Sequence, residues 1–278
     1  MDQILVTAAT GNVGAPLVKA LQRRDMPFEA ATRDAENARR QLGEPLNTVY
    51  LDYEDASSFD PALEGNDLLF LCGPSGTPNA PDLMMPIVDE AQKHDIKHIV
   101  FIASHPSVAK SIKESGINYT FIKANFFMQN FEMYQKKDIR DRDQIFLPCG
   151  EGKAAFVHTR DIGETAAAIF SNPADFEGET VKITGPKSMD HFEAASVFTD
   201  VLGRDIEYKN PDDETYRRDR KKRGYDDTYI NAMIKVFGKI KDEDYATETS
   251  PAVEEILGRK PLPLSDYVEE NETVFQKS

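Results

Sequence analysis

The stretch of this chain best suited to chemistry is Thr7-Ala8-Ala9-Thr10-Gly11-Asn12-Val13-Gly14. It follows a short apolar run and opens a helical pattern. Small residues at a strand-to-helix turn let the backbone approach a pyrophosphate, whose charge meets the N-terminal end of the helix. Thr10, Gly11, Asn12, Val13 and Gly14 are therefore assigned to the phosphates of a dinucleotide. The fingerprint is degenerate, because Ala8 stands at the first glycine position. Arg33 lies just past the next apolar run, where NAD-specific proteins place an acid for the ribose hydroxyls. A guanidinium suits a 2′-phosphate by charge and by its forked geometry, so the expected cofactor is NADP(H), although Asp34 is adjacent.

Further candidates follow later apolar runs. Cys72-Gly73-Pro74-Ser75-Gly76 succeeds Leu68–Leu71, and its small residues would let a ribose and nicotinamide approach. Cys72 has no paired base in view and reads as a small apolar lining residue. Ala103 and Ser104 would line the same space. His105, next in line, is the catalytic candidate: an imidazole beyond a strand end could donate a proton near neutral pH, or could simply start a helix. Tyr119 and Lys123 form Y-x-x-x-K, the spacing of a helical tyrosine–lysine pair. Here they enclose Thr120-Phe121-Ile122, a strand pattern that sets them about 13 Å apart, so that mechanism is not expected. Phe126, Phe127, Met128 and Phe131 read as packing, as one wall of a flat aromatic pocket, or as both. No H-E-x-x-H or C-x-x-C spacing occurs, and no metal site is expected.

These residues need strands and helices to place them. Apolar runs at 4–6, 28–32, 48–51, 68–71, 99–102 and 119–122 alternate with helical patterns at 12–24, 35–42 and 81–93. Leu68-Leu69-Phe70-Leu71 is wholly apolar, as a strand covered on both faces must be. The alternation predicts a Rossmann-type, doubly wound parallel α/β sheet. Beyond about residue 125 the rhythm changes to helices near 160–171, 188–202 and 225–238 and short strands near 145–148, 180–183 and 206–208. The expected organisation is a nucleotide-binding domain over 1–150 and a smaller mixed α/β substrate lobe over 151–278, with segments returning to the sheet.

The motifs together resemble those of the NmrA-like atypical short-chain dehydrogenases over nearly the whole chain. The first turn is similar to that family's TGATGxxG, and Gly116 to Asn130 to its GxxYTxxRPxxFMEN. Arg160-Asp161-Ile162 resembles its DIA helix, and Thr184-Gly185-Pro186 with Leu202-Gly203-Arg204 its TGP and LGR segments. The resemblance implies a Rossmann-type domain and an NADPH-dependent oxidoreductase that reduces a quinone or related small electrophile by direct hydride transfer. It also implies an alternative, a non-enzymatic NADP(H)-binding redox sensor acting through a protein partner. By the same resemblance Lys123 and Asn125 sit beside the nicotinamide or substrate, although Lys123-Ala124 replaces the family's Arg-Pro. His105 falls near a position where some members carry lysine or histidine.

Composition narrows the classes. Of 278 residues 40% are hydrophobic and 29% charged, which suits a globular core. The net charge of −15, spread over both halves, disfavours nucleic acid as a partner. The basic run Arg217 to Arg223 lies among acids and reads as a solvated helix face. Two cysteines fit a reducing compartment, and neither a signal peptide nor a membrane span is expected. The expectation is a cytoplasmic monomer or homodimer acting on a small molecule.

Overall fold

The computed structural model describes residues 2–74, 77, 79–242 and 246–277. Ser75 and Gly76 of the loop singled out above lie outside the described residues. In chain order the elements begin β1 (Ile4–Val6), α1 (Gly14–Arg23), β2 (Phe28–Thr32), α2 (Ala35–Leu42), β3 (Thr48–Tyr50) and α3 (Phe59–Leu63). Then come β4 (Leu68–Leu71), α4 (Ala80–Lys93), β5 (His98–Ile102), α5 (Pro106–Ser115) and β6 (Asn118–Ala124). A π-helical turn at Phe131–Gln135 leads into α6 (Lys136–Arg142), β7 (Gln144–Phe146), α7 (Thr159–Ser171) and β8 (Thr180–Ile183). The remainder is α8 (His191–Leu202), β9 (Glu207–Lys209), α9 (Asp213–Lys222), α10 (Asp227–Asp242), α11 (Ala252–Leu257), α12 (Leu264–Glu270) and α13 (Glu272–Phe275).

The chain forms two compact units, one of residues 1–124, 159–183 and 252–259, the other of 125–158, 184–251 and 260–278. The first holds a seven-stranded parallel sheet in the order β3-β2-β1-β4-β5-β6-β8. This is the doubly wound arrangement expected from the alternation. Every residue of β1, β4 and β5 is buried, which explains their near-continuous apolar sequences. His98 is the exception in β5. Its Nε2–H donates to Thr120 Oγ1 (2.8 Å), and that hydroxyl spends its own proton on the Phe176 carbonyl. Burial keeps this imidazole neutral by pushing its pKa down to about 4. Strand order reverses between β1 and β4, and ligands of open α/β sheets sit beyond the strand ends at such a point.

The second unit pairs β7 with β9 and surrounds them with helices. Its core interlocks aromatic rings: Phe131 lies 5.2 Å from Phe156 and 5.1 Å from Phe198, which in turn lies 5.1 Å from Phe275. Here the basic run departs from a solvated face. Arg220, on α9, is 3% exposed and donates to Asp138 Oδ2 (2.8 Å) and to the Phe146 carbonyl. Arg223 and Arg142 converge on the same carboxylate at 2.6 and 2.9 Å. The partner sits some eighty residues earlier in the chain, so the run by itself could not reveal it.

Candidate functional site

The turn after β1 is built from backbone geometry. Ala8 has φ +48°, the left-handed conformation that a glycine would adopt without strain. The degenerate position thus keeps the glycine shape. The Gly11 N–H donates to the Ala8 carbonyl at 2.8 Å, and the Ala15 N–H to the Gly11 carbonyl at 3.0 Å. Gly14 cannot be replaced without movement, because a Cβ there would lie 2.1 Å from the Ala8 oxygen. Val13, ahead of α1, makes no side-chain cap bond, and the first turn holds no acid. The positive end of α1 is therefore met by no side-chain cap and no first-turn acid. The sequence pattern starts the helix at Asn12; the observed start at Gly14 leaves Thr10 to Val13 to shape the turn.

Thr7 ties this turn to the neighbouring strand end. Its hydroxyl donates to the Phe70 carbonyl (2.8 Å) and accepts from the Cys72 N–H (2.9 Å). The Tyr53 hydroxyl donates to the Cys72 carbonyl at 2.9 Å. Burial pushes the Cys72 thiol up to about 12, so it stays protonated and is no nucleophile at neutral pH. Gly73 has a packing reason as well: a Cβ there would meet the Met84 sulfur at 2.3 Å.

At the end of β2, Arg33 is exposed and makes no ion pair among the described residues. The adjacent Asp34 is engaged, since Oδ1 accepts the Asn37 N–H (2.9 Å) as the cap of α2. Arg39 binds Thr48 and Arg40 binds Asn37. Arg33 is thus an exposed cation at this strand end, unlike Arg39 and Arg40, whose guanidiniums are engaged.

Beyond β5, Ala103 is half-buried and bonded through its N–H to the Ile122 carbonyl (2.9 Å), and Ser104 is exposed. His105 is half-buried at the N-cap of α5 and makes no side-chain cap bond. Tyr119 and Lys123 both lie on β6; the Tyr119 ring stacks on Phe121 at 4.5 Å, and Lys123 is exposed. The Y-x-x-x-K spacing is therefore on a strand, as its intervening residues indicate. Asn125 belongs to the second unit, where its Nδ2 donates to the Ala246 carbonyl at 2.8 Å.

In the second unit Phe126, Phe131, Tyr134, Phe156, Phe237 and His191 enclose a small apolar recess, so two of the four residues read as packing or a pocket wall do line one, while Met128 is core and Phe127 half-buried. Two features escaped the sequence reading. His191 is 2% exposed, stacked on Tyr208 at 5.3 Å, and its Nδ1 has no hydrogen-bond partner. Burial pushes its pKa down to about 4, so the ring is neutral. Its place behind Asp190, a helix cap, offered no signal of this burial. In the first unit, Asp60, Glu90 and His94 gather closely enough to hold a metal ion, but His94 pairs with Asp60 at 2.8 Å on the surface.

A parallel sheet with an uncapped helix and a small-residue turn at its switch point defines a Rossmann-type dinucleotide-binding protein, and residues 8–111 match the NAD(P)H-binding family. Residues 84–269 match the NmrA-like family, to which this chain belongs. It is 26% identical to the NAD(P)H azoreductase of Xenophilus azovorans, over 98% of this chain and 99% of that protein. It is 28% identical to Prestalk A differentiation protein A of Dictyostelium discoideum, over 96% and 91%. The NADPH complex of the NADPH-dependent quinone oxidoreductase from Escherichia coli superposes with a TM-score of 0.84 at 20% identity, over 96% of this chain and 99% of that one.

Proposed function

We propose that this chain is an NADPH-dependent reductase that passes hydride directly to a quinone or a related small planar electrophile. Backbone groups of Thr10, Gly11, Asn12, Val13 and Gly14 hold the pyrophosphate at the positive end of α1. Arg33 holds the 2′-phosphate, and that exposed guanidinium without an ion pair among the described residues, beside an acid already spent on a helix cap, is the observation that carries the cofactor choice. Cys72, Gly73, Ala103 and Ser104 line the ribose and nicotinamide, with Lys123 at the neighbouring strand end. The bound nicotinamide supplies the hydride; the protein supplies orientation. His105 shapes the reacting end, and the reduced product takes its proton from water.

The test is oxidation of NADPH, followed by its absorbance, against a panel of quinones, azo compounds and enones. Turnover with quinones or azo compounds supports the reductase. Tight NADPH binding without turnover favours the redox sensor, a reading that gains from the tyrosine and lysine lying on a strand rather than on a helix.

A further inference from the structure

The second unit also holds a polar cavity of about 270 Å³ lined by Lys137, Asp141, Arg142, Arg223 and Tyr225. Its walls belong to the ion cluster that joins α6 to α9. Asp138, 1% exposed, is gripped by Arg142, Arg220 and Arg223 at 2.9, 2.8 and 2.6 Å. Asp219 receives Arg142 at 3.2 Å and Arg223 at 3.0 Å. Two carboxylates thus serve three guanidiniums. Asp141 is engaged by Arg140 at 2.6 Å, and Lys137 is exposed with no ion pair among the described residues. Counting these groups, five cations face three carboxylates, a surplus of two in a chain whose net charge is −15.

A weld between two helices needs no such surplus and no lysine on the open side. Arg142 keeps 39% of its side-chain surface exposed and Arg223 keeps 22%. Buried Asp138 and partly exposed Asp219 fix the direction of both guanidiniums before any ligand arrives, which lowers the cost of binding. Tyr225, stacked on Tyr229 at 4.8 Å, adds a ring face at the rim. We propose that this cavity binds a phosphate dianion, free or as a monoester, through Lys137, Arg142 and Arg223, independently of the dinucleotide. The surplus of two charges matches the ligand, and guanidiniums suit its oxygens.

The test is calorimetric titration with inorganic phosphate at low salt and about pH 8, where phosphate is doubly charged. It uses the full chain carrying Arg33→Ala, which weakens capture at the nucleotide turn. The expected result is one site of roughly millimolar or better affinity that weakens as salt rises. Adding Lys137→Glu, a change at an exposed residue, should weaken it at least tenfold, with Lys137→Gln in between. Phenyl phosphate distinguishes the sources: tighter binding than inorganic phosphate marks a monoester, equal binding the free ion. No heat of binding at about 10 mM phosphate, or equal binding with and without Lys137→Glu, would overturn the proposal. Because the turn is weakened throughout, failure of the NADPH reading leaves this outcome unaffected.

Discussion

Replacing Arg33 with alanine should remove cofactor discrimination and little else. The side chain is exposed and makes no ion pair among the described residues, so its loss leaves no buried charge behind. Asp34 continues to cap α2 through Asn37, so the strand end keeps its shape. A charge-assisted contact to a phosphate contributes about 1.5–3 kcal/mol, or roughly 10- to 150-fold in affinity. Because this guanidinium stands in water, the lower half of that range applies, about 10- to 30-fold at moderate salt. Calorimetry with NADPH and NADH on both proteins reads the effect. The wild type should favour NADPH by about that factor, Arg33→Ala should bind both nucleotides alike, and NADH should be unchanged. Raising salt should shrink the wild-type preference and leave the variant flat. Equal affinities in the wild type, or parallel losses for both nucleotides, would refute the assignment.

Gly14→Ala places a methyl 2.1 Å from the Ala8 oxygen; the turn must open, with about 1–3 kcal/mol lost in thermal unfolding and NADPH no longer raising the melting temperature. Asp138→Asn withdraws the charge beneath three guanidiniums and should cost about 3–5 kcal/mol by urea denaturation. His98 and His191 are held neutral by burial, with pKa values of about 4 against about 6.5 in the unfolded chain. The unfolded chain then binds protons first, so stability is full above about pH 6.5 and falls towards pH 4, by at most about 3 kcal/mol for each ring; a flat urea midpoint across that window would refute this. His105→Ala should raise the Michaelis constant while turnover stays within a few-fold; a turnover loss of about a hundredfold would instead make the imidazole a general acid.

What was legible in the sequence was whatever depends on near neighbours. The bounds of β4 follow its apolar run, because a parallel strand buried on both faces needs apolar side chains throughout and ends where they stop; β2 and β8 also fall where expected, although Glu29 and Lys182 interrupt their apolar pattern. The turn after β1 was legible for the same reason, being a matter of small residues at adjacent positions. His98 fell outside the apolar run taken for β5, because its burial depends on Thr120 across the sheet. The buried Arg220 and the aromatic box around His191 escaped for the same cause. Asp138 and Arg220 are brought together by the fold, and His191 lies within 5.4 Å of Phe156 and 5.3 Å of Tyr208, on other segments. A charge run and a lone histidine have no local feature that separates these fates from solvent exposure.

The nucleotide turn also depends on residues far from it in sequence. A Cβ at Gly163 would lie 2.6 Å from the Leu17 nitrogen and 2.8 Å from Pro16 Cβ, so α7 and α1 meet at backbone contact there. Two residues before Gly163, buried Asp161 pairs with Arg259 at 2.7 Å; one residue after it, Glu164 is held by Arg259 at 2.7 Å and Arg23 at 2.8 Å. Arg23 is the last residue of α1, so its pair with Glu164 and the glycine contact hold both halves of that helix against α7, while Arg259 ties α7 to the segment after α11. Close backbone packing fixes the axis of α1, and the axis fixes where its N-terminal N–H groups point. The part of the chain that resembles the DIA helix therefore sets the aim of α1, a helix whose first turn has no side-chain cap of its own, without entering the turn.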